Sequence, residues 1–128
     1  MSKKLKFRVV RGGYTIIKLA AADPIPQWAT DGSFTSITRT ADELSIVCRV
    51  DNVPKERIET FWNCLKIEGP FAFSETGILY TFIQPLAEAG ISVFAIATYD
   101  TDYVLIQQHS AYEAIRILQD AGHELVAA

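Results

Sequence analysis

The sequence offers little from which to build a catalyst or a metal site. Two cysteines and two histidines are the only thiol and imidazole groups in 128 residues. Cys48 and Cys64 do not form a closely spaced pair, and both sit in apolar, strand-like contexts. Such contexts favour packed, reduced thiols in a cytoplasm. With His109 and His123 distant from them, no zinc ligand set assembles. There is no run of about 18 apolar residues, so no membrane span is expected. The amino terminus passes from lysines into an alternating strand without a signal-peptide core. The formal net charge of −3 argues against general affinity for phosphate backbones. The one basic cluster, Lys3, Lys4, Lys6 and Arg8, has no interleaved aromatics and reads as a solubilising terminus. No DNA-binding motif, kinase signature or other output module is present.

What the chain does have is hydrophobic residues, at 49%, and they are patterned. "KLKFRVVRGGYTIIKLA" reads as two strands joined by a hairpin at Gly12-Gly13. "DPIPQWATDG" is loop. "SFTSITRT" and "ELSIVCRV" follow as strands, and in the second Leu44, Ile46, Cys48 and Val50 share one face. "FWNCLKIEG" is another strand. Ile78, Leu79, Phe82, Ile83 and Leu86 then fall at helical spacing, with Gly90 where a C-terminal cap belongs. Pro85, inside this helix, frees the carbonyl of Thr81 and predicts a kink. The apolar run "ISVFAIA" reads as a central strand with "DYVLIQ" as its partner. "SAYEAIRILQDAG" opens with Ser110 and Glu113 in capping-box spacing, and "HELVA" is a last short strand.

Residues 61–128 therefore read β-α-β-β-α-β, a split βαβ or ferredoxin-like sandwich with both helices on one face of the sheet. Residues 1–60 supply a strand-rich companion half. Chain direction alone brings two places to the same end of the unit: the first helix start, "FSETGI", and the hairpin "TYDTD". A helix start favours an anion, Gly77 permits close approach to the backbone, and Ser74 and Thr76 offer hydroxyls. Asp100, Asp102 and the carbonyls near Thr98 favour a cation. The pair suits a zwitterion such as a free amino acid. The same residues are also ordinary hairpin and helix-start chemistry, so from the residues both readings stand.

The segments "EGPFAFSETGIL", "PLAEAGISVFAIATYDTDY" and "AGHE" resemble the ACT-domain family. Within it they are most like small bacterial proteins whose carboxyl half is the module also found in arginine sensors of the CASTOR kind. The resemblance extends over residues 12 to 122. It implies an α+β protein of two ACT-like units that binds an amino acid at a module or subunit interface and has no catalytic activity. By matching motif it places ligand contacts at Phe73, Ser74, Glu75, Thr76, Gly77 and Ile78, and at Thr98, Tyr99, Thr101 and Asp102. In this scheme N–H groups near Gly77 and Ile78 hold the carboxylate. Asp102, or carbonyls near Thr98, hold the ammonium; Glu75 meets a ligand side chain and Tyr99 forms a wall. The arginine sensors carry four modules in one chain, so a complete site here calls for a second subunit.

Other chemistry fits poorly. Asp100-x-Asp102 lacks the rest of a calcium loop, and a Glu75–Asp102 acid/base pair has no nucleophile or cofactor motif beside it. Trp28 and Trp62 read as packing residues. The expectation is a cytoplasmic, homodimeric, non-enzymatic regulatory protein that needs no cofactor or metal. Its ligand would be a free amino acid, and an effector protein would read its state. The alternative is an oligomerisation or interaction module that binds no metabolite.

Overall fold

The computed structural model describes residues 3–72 and 74–126. Residues 3–11 and 63–126 form one compact unit, and Gly12–Trp62 a second. The strands are β1 (Lys6–Leu19), β2 (Ser36–Arg39), β3 (Leu44–Arg49), β4 (Trp62–Ile67), β5 (Val93–Ala97), β6 (Asp102–Gln107) and β7 (Glu124–Leu125). The helices are α1 (Ile78–Glu88) and α2 (Ala111–Asp120). From β4 to β7 the order is the β-α-β-β-α-β of a ferredoxin-like sandwich, so the chain is α+β as the pattern implies.

In the first unit the strands run β7-β1-β4-β6-β5. The amino-terminal part of β1 is thus wedged between the first and last strands of the split βαβ. It pairs in parallel with β7, Lys6 opposite Glu124 and Phe7 opposite Leu125. Both helices cover the same face. Leu65 and Ile67 of β4, Val104 and Ile106 of β6, and Leu5 and Phe7 join Phe82 and Leu86 of α1 and Ala114 and Leu118 of α2 in one core. Phe7 and Phe82 meet edge-on with centroids 5.4 Å apart. Each fully buried Leu, Ile or Phe in such a core contributes about 1.5–3 kcal/mol.

In the second unit β1 pairs antiparallel with β3 from Tyr14 opposite Arg49 to Leu19 opposite Leu44, and β3 with β2. Ile17, Leu44, Ile46, Cys48, Ala29 and Val53 form its core. Tyr14 is fully buried edge-on against Phe34.

Three local expectations are corrected. No hairpin forms at Gly12-Gly13, because β1 continues through both glycines as one 14-residue strand. Gly12 has φ +100°, and a Cβ there would lie 2.5 Å from Arg49 Nε, so the missing side chain makes room for the Arg49 guanidinium. Among the described residues the apolar run Val93–Ala97 is an edge strand, bonded only to β6. Its Val93, Phe94 and Ile96 are half-buried while Ala95 and Ala97 are exposed. The capping box at Ser110 is not made: a turn of 3-10 helix, Gln108–Ser110, runs directly into α2, and no side chain caps the start.

The basic terminus is also more than a solubilising tail. Lys4 Nζ donates to the Ala121 carbonyl (2.8 Å) at the exit of α2. Arg8 pairs with Glu68 at 2.6 Å and Lys3 with Glu75 at 3.1 Å. Three of its four cations are thereby committed to partners within the unit.

Candidate functional site

The loop before α1 and the hairpin between β5 and β6 enclose a cleft of about 280 Å³. Phe71, Ala72, Glu75 and Ile78 line one side; Ala97, Thr98, Tyr99, Asp100, Thr101 and Asp102 line the other. The two sides are joined through the backbone, the Phe71 N–H donating to the Asp100 carbonyl at 2.9 Å. Gly69 permits that approach: a Cβ on it would lie 2.9 Å from the same Asp100 oxygen.

The hairpin is held by its threonines. The Thr98 N–H and hydroxyl both donate to the Thr101 carbonyl, at 2.8 and 2.9 Å. Thr101, 6% exposed, donates its hydroxyl at 2.6 Å to the Ile67 carbonyl at the end of β4. The hydroxyls of Thr98 and Thr101, two of the expected ligand contacts, are therefore engaged in building the turn, and what they offer the cleft is position. Tyr99 is 78% exposed at the tip. Asp102 opens β6 opposite Ala97. Burial raises its carboxyl pKa above the ordinary value, and no cation pairs with it among the described residues.

On the other side α1 begins at Gly77, whose φ of +78° is left-handed. Glycine has no side chain to cap the first turn, and its absent Cβ would have met nothing within 4 Å. Gly77 accepts the Thr81 N–H through its carbonyl at 2.8 Å. The first N–H groups of a helix have no intrahelical acceptor and carry the positive end of its dipole. Glu75 is tied down just before: Oε1 accepts the Ala72 N–H at 3.1 Å, and Oε2 faces Lys3. These two contacts, Ala72 foremost, hold its pKa below the usual value.

Of the sequence-selected residues, Glu75, Ile78, Thr98, Tyr99, Thr101 and Asp102 lie together on the cleft. Ser74, Thr76 and Gly77 are in the adjoining loop and helix start but not on the described lining. Phe73 lies outside the described residues. Phe71, Ala72 and Ala97 were missed as lining. Phe71 and Ala72 directly precede the "FSETG" stretch and already lie within the motif "EGPFAFSETGIL".

The other reactive candidates lie elsewhere. Cys48 and Cys64 are free and buried, and desolvation pushes their thiols up to about 11 and about 12. His123 is 5% exposed, with Nδ1 accepting the Leu5 N–H at 3.1 Å. Among the described residues no three His, Cys, Asp or Glu side chains gather as a metal site, and no helix is long and apolar enough to cross a membrane.

Comparison with known proteins places this geometry in a family. A model of the ACT domain matches residues 57–120, and a second model, of an N-terminal domain, matches residues 12–56. Subunit 1 of the cytosolic arginine sensor for mTORC1, from Homo sapiens and Bos taurus, is 36% identical over 59 residues. That match spans 45% of this chain but 18% of the sensor. A crystal structure of an Agrobacterium tumefaciens protein is 43% identical with a TM-score of 0.91, covering 98% of this chain and 94% of that one. A Vibrio cholerae protein described as a possible transport protein is 19% identical with a TM-score of 0.68, over 92% and 90% of the chains. The aspartokinase α and β subunits give 15% and 0.56, over 94% and 98%. The last two likenesses concern the fold alone. With the domain model covering half the sequence, and the β-α-β-β-α-β order observed over the same stretch, the chain belongs to the ACT-domain family.

Proposed function

We propose that the cleft binds a free amino acid and that the protein is a non-catalytic, cytoplasmic regulator whose state reports that ligand to an effector. One observation carries the reading: Asp102, a partly desolvated carboxylate without a cationic partner among the described residues, shares a cleft with the uncapped start of α1. An ammonium beside Asp102 would relieve its desolvation. A carboxylate at Ile78 would meet unpaired N–H groups and the helix dipole. The cleft, at about 280 Å³, has room for such a molecule. The likeness to an arginine sensor over 59 residues supports the same class of ligand.

Ala97 both lines the cleft and ends the edge strand β5. A second copy of the chain along that edge would lie beside the opening, and we place the complete site in a homodimer. The domains we assign are 1–60, the strand-rich ACT-like half, and 61–128, the ferredoxin-like module, whose compact unit also takes in residues 3–11 of the first.

Thermal unfolding against each proteinogenic amino acid tests the reading. A ligand at about 100 times its dissociation constant stabilises by about 2.7 kcal/mol, a shift of several degrees for a chain of this size. A clear shift for one amino acid, lost in Asp102→Ala, is the expected result. No shift across the panel, with a dimer present throughout, would favour a ligand-independent interaction module instead.

A further inference from the structure

We propose that the second unit has a binding site of its own, a cleft of mixed charge that takes a small molecule bearing both a carboxylate and an ammonium group. The site lies wholly within Gly12–Trp62 and does not depend on what the cleft beside α1 binds.

This second cleft, of about 260 Å³, is lined by Ile17 and Lys18 of β1 and by Glu56, Arg57 and Glu59. Its framework is local. The Pro54 carbonyl accepts the Arg57 N–H at 2.9 Å and the Lys55 carbonyl accepts the Ile58 N–H at 3.2 Å, closing one turn of 3-10 helix. Ile58 packs against the core cluster that contains Ile17. That apolar anchor pins the turn, while Arg57 and Glu59 on either side of it stay exposed. Ile17, itself 6% exposed, gives the cleft an apolar wall.

Lys18, Arg57, Glu56 and Glu59 bring positive and negative groups in equal number to one small space. Among the described residues, none of these side chains forms an ion pair or a side-chain hydrogen bond. Exposed charges gain little by pairing with one another in water. They are therefore held near one cleft and left available.

The mixture of signs selects the ligand. A phosphate or other simple anion would meet Lys18 and Arg57 but be repelled by both carboxylates. A metal ion would meet the carboxylates but be repelled by both cations, and among the described residues no third ligand joins Glu56 and Glu59. An uncharged molecule answers neither sign. A dipolar one answers both through charge-assisted hydrogen bonds, and its carbon skeleton lies against Ile17.

The test is NMR titration of the full chain with γ-aminobutanoate and with glycylglycine. Butanoate and butylamine serve as analogues carrying one charge each. The readout is the amide resonances of residues 17, 18 and 56–59, which report on this cleft and not on the one beside α1. The expected result is a saturable shift of those resonances with at least one dipolar probe, weakened by added sodium chloride. Neither analogue should match it. Binding should be about two- to five-fold weaker in each of Lys18→Gln and Glu59→Gln, and unchanged in Asp102→Asn. Lys18 and Glu59 are exposed, and the spectra of the variants without ligand check that the fold is kept. No saturable shift with either dipolar probe at concentrations up to about 50 mM would overturn the site. Equal binding of butanoate or butylamine would overturn the dipolar class. Wild-type affinity in both cleft variants, with binding lost in Asp102→Asn, would assign the shifts to the other cleft and overturn this one. Each of these failures leaves the amino-acid reading of the cleft beside α1 standing.

Discussion

The imidazole of His123 hydrogen-bonds the backbone carbonyl of Thr81, the acceptor that Pro85 leaves without a helical donor in α1. Its other nitrogen, Nδ1, accepts the Leu5 N–H, so the ring is neutral, with its proton on Nε2. One buried side chain thereby satisfies two backbone groups from α1 and from the residue before β1, and its ring packs 5.6 Å from that of Phe82.

This arrangement makes stability depend on pH in a defined direction. Burial lowers the His123 pKa below 6.5, outweighing the Thr81 bond that raises it, and Lys4 lowers it further. The unfolded chain therefore takes up the proton first. The contribution is complete above pH 6.5 and declines as pH falls from there towards the folded pKa. Urea unfolding at pH 8 and pH 5.5 should show a lower midpoint at the acid pH, with part of the difference absent in His123→Leu.

At pH 8 His123→Leu should itself cost about 2–4 kcal/mol, because two buried backbone groups lose their partner. Pro85→Ala restores an N–H one turn beyond Thr81. In that background the Thr81 carbonyl regains a helical donor, and the cost of His123→Leu should fall by about 1 kcal/mol. A double-mutant cycle by denaturant titration reads this coupling. Strict additivity would mean that Thr81 is satisfied in some other way.

Gly69 and Gly77 separate close approach from backbone conformation. Gly77→Ala introduces a left-handed alanine into open space and should cost about 1 kcal/mol from strain alone. Gly69→Ala drives a methyl into the Asp100 carbonyl and against the Phe71 backbone, parting the two sides of the cleft. It should cost about 1–3 kcal/mol and broaden or shift the Phe71 and Asp100 amide resonances. The Gly77 variant should leave those resonances in place.

These residues also show what the sequence could reveal. Chain direction alone was enough to bring the α1 start and the β5–β6 hairpin together, because right-handed crossovers leave few alternatives. Pro85 announced a free carbonyl at Thr81, but the donor that fills it lies 42 residues away at His123, beyond any local pattern. Gly12-Gly13 looked like a turn because two glycines between β-branched runs usually are one. The cause here is a side-chain contact from Arg49, which periodicity cannot register. The apolar run Val93–Ala97 showed that β5 is a strand but not that it lies at an edge, since hydrophobicity reports on faces and the edge is a matter of backbone pairing. Thr98 and Thr101 were legible as hairpin residues, and only their bonds to Thr101 and Ile67 carbonyls show that the turn already uses their hydroxyls.

Asp102 gives a prediction in which stability and binding move apart. Its raised pKa means that the folded state holds its proton more tightly than the unfolded chain, so above the ordinary carboxylate range its charge works against folding. Asp102→Asn removes that charge and keeps the shape. Its unfolding midpoint at pH 7 should be unchanged or slightly higher, and the difference from wild type should vanish on acidification, where Asp102 is protonated in both states. If this carboxylate receives a ligand's ammonium, the same variant should bind that amino acid at least ten-fold more weakly, about 1.4 kcal/mol. Thr101→Val should do the reverse in order: about 1–3 kcal/mol of stability lost with the Ile67 bond, and any loss of binding only as a consequence of the displaced turn. A stability loss in Asp102→Asn as large as that in Thr101→Val would mark Asp102 as a structural residue of the hairpin and not a ligand contact.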